Sequence, residues 1–518
     1  MRVRFLRLVG AASLLALAPA AVHAQAPGRG RGGMPPEGAR GPNAEQAGVP
    51  AVEKVSTTHH KVTINGQDIS YTANAGTMVI RDGDGKPQGT VFYVAYTRDG
   101  ENPATRPVTF FFNGGPGSSS IWLSMGLMSP MHPEMGPDGS QPTPPYDLVP
   151  NPYSPLATTD LVQIDAMMTG YSRPAPGVPV SDFTGTQNDI GMFGQFIRNY
   201  LDKYNRWASP KYLFGESYGT FRSAGLAGEL QEREGIFLNG VMLLGTVLDL
   251  GNIAPSPSND PPYAMFLPTY TATAWYHKKL PANLQSESLA QAVQQSRDYA
   301  FGDYLTTLAK GNALTDAERT AAAQKLAGLT GLSEQFVLNT NLRIDPNTFR
   351  TELLRDQHEM LGRYDTRLIG LQGNAANQYQ DYDPSDVAPT GAFMTAYMRY
   401  LQDSLDYHTD LQYYLGGHAG PWNWGPGGYA GFPSTSEQLR LAMAKDPHLK
   451  VLVGAGYFDS ATPFANAEYS FRHMGYGKSY TDRVKFDYYE SGHMAYLNQA
   501  SARQLSANIQ KFIESTEH

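Results

Sequence analysis

Phe214-Gly215-Glu216-Ser217-Tyr218-Gly219 is the stretch that decides how this chain is read. A serine two residues after one glycine and two before another fits the G-x-S-x-G elbow, a tight strand-to-helix turn that leaves the hydroxyl exposed. Small residues are required there because the turn brings strand and helix backbones very close. Such a pentapeptide arises often by chance, so its surroundings carry the argument. Lys211-Tyr212-Leu213-Phe214 before it reads as a short strand, and Thr220 to Glu232 after it keeps apolar residues at helical spacing.

Working outward, Pro107-Val108-Thr109-Phe110-Phe111-Phe112 is almost continuously apolar and runs straight into Asn113-Gly114-Gly115-Pro116-Gly117-Ser118-Ser119-Ser120. That pattern suits a buried central strand ending at a functional loop. A glycine-rich turn in this place can present backbone N–H groups to a developing oxyanion. A phosphate cradle is the other reading of such a loop, but no G-K-[ST] follows. Gly89–Tyr96 and Phe237–Leu244 are further strand candidates, and Asp189–Tyr204 is a helix candidate. The alternation predicts an α/β fold, a mostly parallel sheet covered on both faces. Shorter strands are expected at 57–64, 69–72 and 76–80, punctuated by the turn formers Asn65-Gly66 and Asp82-Gly83-Asp84-Gly85.

A Pro-rich break from Asn252 to Pro262 changes the character of the chain. Helical patterns then dominate, at 270–279, 287–308, 316–329 and 392–407. The alternation returns with a helix at 434–445, a strand at 449–453 and a last helix at 500–514. The expected organisation is therefore one core in two parts, 51–252 and 425–518, interrupted by a helical insertion over 253–424. Ahead of it, residues 25–50 are rich in Pro, Gly and Ala and read as a leader without a fold of its own.

The chain starts with Arg2, Arg4 and Arg7, continues with an apolar run from Leu8 to Ala21, and reaches Val22-His23-Ala24. That is the pattern of an export signal over residues 1–24. The run is shorter than the roughly 20 residues a membrane span needs, and no later stretch qualifies, so no integral membrane segment is expected in the mature chain. Its removal takes the formal charge from −8 to −11. So acidic a protein, with no basic patch in its sequence, has no electrostatic case for binding nucleic acid. Cysteine is absent, which excludes both thiol chemistry and disulfides.

A serine nucleophile needs a base and an orienting acid, which on this class of fold follow it in the order acid, then histidine. After Ser217, Val451-Leu452-Val453 runs through glycines to Asp459. Val484-Lys485-Phe486-Asp487-Tyr488-Tyr489 leads to Gly492-His493. Asp487 is an alternative acid, although it lies inside the strand pattern. His277, His358, His408, His418, His448 and His473 lack the strand-end context, and His59, His60 and His132 precede the nucleophile. No His-Glu-x-x-His and no helical histidine pair is present, so neither a metal nor another cofactor is expected.

With these motifs in view the chain resembles the serine carboxypeptidases, the peptidase S10 family of α/β-hydrolases. The family's oxyanion loop reads N-G-G-P-G-C-S-S and its elbow G-E-S-Y-[AG]-G. Here the loop is Asn113–Ser120 with Ser118 in place of the cysteine, and the elbow is Gly215–Thr220 with Thr220 in place of the last glycine. Asn151-Pro152-Tyr153-Ser154, Asp165 with Thr169-Gly170-Tyr171-Ser172, and Gly492-His493-Met494 also look like the family's.

The resemblance implies an exported, periplasmic or secreted carboxypeptidase acting on peptides with a free C-terminus, with Ser217, Asp459 and His493 as the triad. It further implies Gly115 and Tyr218 as oxyanion donors, Asn113 and Glu216 as a hydrogen-bonded pair that binds the substrate carboxylate, and Met494 near the terminal side chain. Ile121–Met128 is apolar where many relatives carry a glutamate, which implies a preference for apolar terminal residues. An esterase or acyltransferase of the same fold is the nearest alternative function. A binding protein that has lost its chemistry is a more remote one.

Overall fold

A computed structural model describes residues 48–425, 432–475 and 477–516. The expected export signal and all but the last three residues of the expected leader lie outside the described residues. Order begins with three antiparallel strands, Val55–Ile64 (β1), Gln67–Arg81 (β2) and Pro87–Arg98 (β3). Asn65 and Gly66 join the first two with φ of 50° and 79°, as a two-residue hairpin turn requires. The two strands expected at 69–72 and 76–80 are one. Ala73-Asn74-Ala75 keeps unbroken register with Tyr96-Ala95-Val94, and both alanines are buried. Alanine carries little strand signal, so the join was invisible in the sequence.

Val108–Phe112 (β4), Asp160–Ile164 (β5), Lys211–Glu216 (β6), Gly240–Leu244 (β7), Lys450–Gly456 (β8) and Val484–Tyr489 (β9) complete the main sheet. Its long strands lie in the order β1-β2-β3-β5-β4-β6-β7-β8-β9, with the two-residue Arg173–Pro174 beside β3. From β5 onward every neighbouring pair is parallel. β5 was not foreseen, because Asp160 and Gln163 interrupt its apolar run. Asp160 accepts from Arg106 and Arg206 at 2.6 Å each, and the Gln163 amide nitrogen donates to the Tyr397 hydroxyl at 2.8 Å. Burial of paired polar groups is tolerated where burial of unpaired ones is not.

Successive side chains on the parallel strands point to opposite faces, and both faces are covered. Phe111, Phe214, Met242 and Leu452 pack in one layer with the helices Pro384–Arg399 and Gln499–Glu514. Phe110, Leu213, Val241 and Val451 pack in the other with Thr186–Lys203 (α1), Tyr218–Glu229 (α2) and Ser436–Lys445. Two-sided burial is why these strands read as continuous apolar runs.

Most of the segment from 253 to 361 has a separate apolar cluster. Helices Pro261–Tyr276 and Asp316–Thr330 surround Phe266, Tyr270, Leu326 and Phe349. The helix expected over 287–308 is interrupted by a π-turn at Ala300–Tyr304, where Gly302 leaves helical geometry. Beyond 361 the chain returns to the sheet. Helix Pro384–Arg399 joins the first apolar layer, and Tyr414, Gly416 and Asn423 bridge Gly170, Ser118 and Gly185. Among the described residues no helix is long and apolar enough to cross a membrane.

Candidate active site

Register brings the C-terminal ends of β4, β6, β7, β8 and β9 side by side: Phe112 faces Gly215, Leu244 faces both Glu216 and Gly454, and Gly456 faces Tyr489. Sites of parallel sheets form at this edge. Ser217 follows β6 with φ 60° and ψ −130° and starts α2. A non-glycine residue in that conformation costs about 1–3 kcal/mol and persists only where its neighbours impose it. Here they do. The Ser217 N–H donates to Leu244 O at 3.0 Å, and the Ser217 carbonyl accepts from the Thr220 N–H at 2.8 Å and from its hydroxyl at 2.7 Å. Thr220 Oγ1 in turn accepts from the Val247 N–H at 2.9 Å. The threonine that replaces a glycine of the resembling motif therefore ties the elbow to the loop after β7. A Cβ on Gly215 would lie 2.1 Å from Gly219 O, so the first glycine is a steric necessity.

The Asn113–Ser120 loop presses directly on the elbow, since a Cβ on Gly114 would meet Tyr218 N at 2.3 Å. The Tyr218 N–H is one of the amide donors that a helix start leaves without an intrahelical acceptor. Asn113 Nδ2 donates to Glu216 Oε1 at 2.8 Å, and Asn113 Oδ1 accepts from the Leu123 N–H at 2.9 Å. Ser118 accepts from the Trp122 indole at 2.9 Å. Ser120 donates its N–H to Asp165 at 2.7 Å and its hydroxyl to Ile164 O at 2.6 Å. Burial pushes the Asp165 carboxyl up to about 6, against the pull of its Ser120 and Tyr413 hydrogen bonds.

Sequence reasoning missed the support beneath this loop. Arg222, fully buried on α2, donates to Asn113 O at 2.7 Å and pairs with Asp189 of α1 at 2.7 and 3.1 Å. Its guanidinium lies over the rings of Phe112, Phe193 and Tyr218. An arginine inside an otherwise apolar helical run was the available signal.

On the far side of the edge, Asp459 follows β8. Its Oδ1 accepts from the N–H groups of Ala461 and Thr462 at 2.8 and 2.9 Å, and its Oδ2 bonds Thr462 Oγ1 at 2.8 Å and His493 Nδ1 at 2.7 Å. Burial works against a charged imidazole, but the charge and hydrogen bond of Asp459 outweigh it, so the His493 pKa is raised. His493 Nε2 has no hydrogen-bond partner among the described residues, and no hydrogen bond joins it to Ser217. The two residues nonetheless converge. Ser217 is bonded to Leu244, and the next residue, Gly245, lies so close to the imidazole that a Cβ there would be 2.6 Å from its Cε1 and Nδ1. Catalytic hydrogen bonds commonly close only when substrate is bound. Asp487, the alternative acid, lies within β9 and pairs with Lys485 at 3.0 Å.

The inserted segment reaches this side of the site. The His493 N–H donates to Tyr364 O at 2.6 Å, and the Tyr364 ring stacks on the imidazole at 5.3 Å. Beside the elbow, burial pushes Glu216 up to about 7, with His493, Tyr496 and Asn113 holding it down and Asp459 adding to the rise. Met494 is buried in the first apolar layer. A cavity of about 230 Å³ is lined by Tyr496 and Leu497, together with Met125, His132, Met135, Tyr153 and Phe393 among others, but not by Met494. Burial holds the His132 pKa down to about 4, so this histidine is neutral near pH 7, while Glu134 lines the same cavity. Among the described residues no group of three or more His, Asp or Glu could hold a metal ion.

Strand order, parallel direction and a strained serine turn at the C-terminal edge define the class as an α/β hydrolase. Residues 82–501 match the family model "Serine carboxypeptidase" (Peptidase_S10), and the chain belongs to that family. Among relatives, it is 28% identical over 202 residues to the "Probable serine carboxypeptidase" of Arthroderma benhamiae, covering 34% of this chain and 35% of that protein. To the "Carboxypeptidase Y homolog" of the same organism it is 34% identical over 146 residues, 27% of this chain and 26% of that one. The matched stretches thus span about a third or less of these relatives. A solved structure of proline iminopeptidase from Mycobacterium smegmatis aligns over 85% of this chain and 98% of its own, with a TM-score of 0.36 and 14% identity.

Proposed function

We propose that the protein is a serine-type carboxypeptidase that removes residues from the free carboxyl ends of peptides. The observation that carries this reading is the buried Asn113–Glu216 pair beside Ser217. A carboxyl pushed up to about 7 keeps its proton under mildly acid conditions and can then donate to a substrate carboxylate. An ester without a free carboxylate gives that pair nothing to bind.

In the proposed reaction His493 Nε2 takes the proton of Ser217 Oγ as the oxygen attacks the last peptide carbonyl. Asp459, bonded to Nδ1, keeps the other nitrogen free to accept. The N–H groups of Gly115 and Tyr218 hold the oxyanion. On collapse the C–N bond breaks, His493 returns the proton to the leaving amine, and the terminal amino acid departs. Water activated by His493 then cleaves the acyl-enzyme. The apolar run Ile121–Met128, which contributes Met125 to the wall of the 230 Å³ cavity, supports an apolar terminal side chain as the preferred one. Of the inserted segment 253–424, the part with its own apolar cluster, 253–361, acts as a lid over the cleft, while the rest packs with the core parts 51–252 and 425–518. The basic and apolar start of the chain supports export to the periplasm or beyond, which N-terminal sequencing of mature material checks.

The test compares one blocked dipeptide with a free and with an amidated C-terminus from pH 4 to 8. Strong preference for the free acid, fading as pH rises through about 7, is the expected result. Equal cleavage of both forms, or action on simple esters alone, would move the function to an esterase or acyltransferase.

A further inference from the structure

Two buried polar atoms at this site have no hydrogen-bond partner among the described residues: Glu216 Oε2 and the hydroxyl of Tyr496. They belong to the same small space. The phenol lies beside the Glu216 carboxyl and the Asn113 amide and helps to hold the Glu216 pKa down, although neither contact reaches the distance and angle of a direct hydrogen bond. A buried phenol without a partner is disfavoured relative to phenylalanine, so its hydroxyl calls for an acceptor.

The ring cannot easily turn away. Tyr496 sits in the 3-10 turn Ala495–Leu497, and its ring covers Gly126 of the π-turn Ser124–Met128 so tightly that a Cβ on Gly126 would lie 2.1 Å from it. Tyr496 lines the 230 Å³ cavity, and its hydroxyl has Asn113 and Glu216 as neighbours.

We propose that Tyr496 is a third donor to the substrate's terminal carboxylate, completing a cradle with Asn113 Nδ2 and protonated Glu216, while its ring forms the wall against which the terminal side chain packs. The proposal rests on the carboxypeptidase reading and adds to it a residue that no motif pointed to. It places recognition of the carboxylate and of the side chain on one residue, through different atoms.

Tyr496→Phe separates them, because it removes the hydroxyl and keeps the ring. In the intact protein this variant is expected to lose about tenfold or more in kcat/KM on a free-acid dipeptide, chiefly through KM, and to change less than about twofold on the matching amide. The ranking of terminal residues stays as in the wild type. Of the groups facing Glu216, namely His493, Tyr496, Asp459 and Asn113, the variant removes one that holds its pKa down, so the falling alkaline limb moves to higher pH. A wild type without free-acid preference would overturn the carboxypeptidase reading and this inference with it. A wild type with that preference, and a folded Tyr496→Phe variant that keeps it in full, would overturn the inference alone.

Discussion

The serine side and the histidine side of this site are held by different means. Around Ser217 the restraints are backbone on backbone and local to the core: Gly215 against Gly219, Gly114 against Tyr218, and Thr220 locking the elbow to Val247. Around His493, beyond its bond to Asp459, they come from the inserted segment. Tyr364 accepts the imidazole residue's N–H and stacks on its ring, Asp365 accepts from the Gly492 N–H at 3.1 Å, and Arg363 O accepts from the Ser460 N–H at 3.1 Å. The insertion therefore does more than cover a cleft. It belongs to the mounting of the histidine.

Variants on the two sides should fail in different ways. The largest effect expected is on chemistry: Ser217→Ala or His493→Ala should lower kcat by about 10⁴-fold or more, in Ser217→Ala with the thermal transition nearly unchanged, measured by steady-state kinetics and calorimetry. Next, Arg222→Met strands Asp189 as an unpaired buried charge and should cost about 3–5 kcal/mol in denaturant unfolding. Replacing both partners with apolar residues should recover most of that stability but not the peptidase activity, because Asn113 O loses its donor. Full recovery of activity would show that the pair supports only the fold.

On the histidine side, Tyr364→Leu keeps the backbone acceptor and most of the packing but removes the stacked ring, and should reduce kcat by about tenfold while leaving KM nearly unchanged and costing less stability than Arg222→Met. Equal losses in kcat and melting temperature would erase the distinction between the two mountings.

A further effect is on the pH dependence of stability. The folded protein keeps the Glu216 proton up to about 7, whereas an unfolded chain releases it near the ordinary glutamate value of 4.5. Between those values the fold binds more protons, so this residue's contribution to stability declines as pH rises from about 4.5 to about 7 and then levels off. Glu216→Gln should flatten that decline in urea titrations, while also abolishing the alkaline fall in peptide cleavage. A slope identical to the wild type would mean that Glu216 is not the group titrating.

The same contrast explains what the sequence could reveal. The elbow's demands are met within a few residues, so Gly215, Ser217 and Gly219 announce it on their own. The Asn113–Glu216 pair was reached through resemblance, because its two members lie 103 residues apart. Asp365 and Gly492 are separated by 127 residues, and nothing in the helical pattern of the insertion marks residues 363–366 as neighbours of a histidine. Arg222 and Asp189 were hidden for a related reason: a buried ion pair looks in sequence like two surface charges. In the fold, β4 and β6 stood out as apolar runs, while β5 was masked by Asp160 and Gln163, whose partners Arg106, Arg206 and Tyr397 are distant. Tyr496 carried no signal beyond closeness to His493.

The most direct test of the central claim is to treat the protein with an active-serine phosphonate and locate the adduct by intact-mass and peptide mass spectrometry, beside the Ser217→Ala variant. One adduct per chain on the peptide containing Ser217, with none on the variant and parallel loss of peptide cleavage, is the result expected. An adduct on another residue, or unlabelled protein that still cleaves peptides, would contradict Ser217 as the nucleophile.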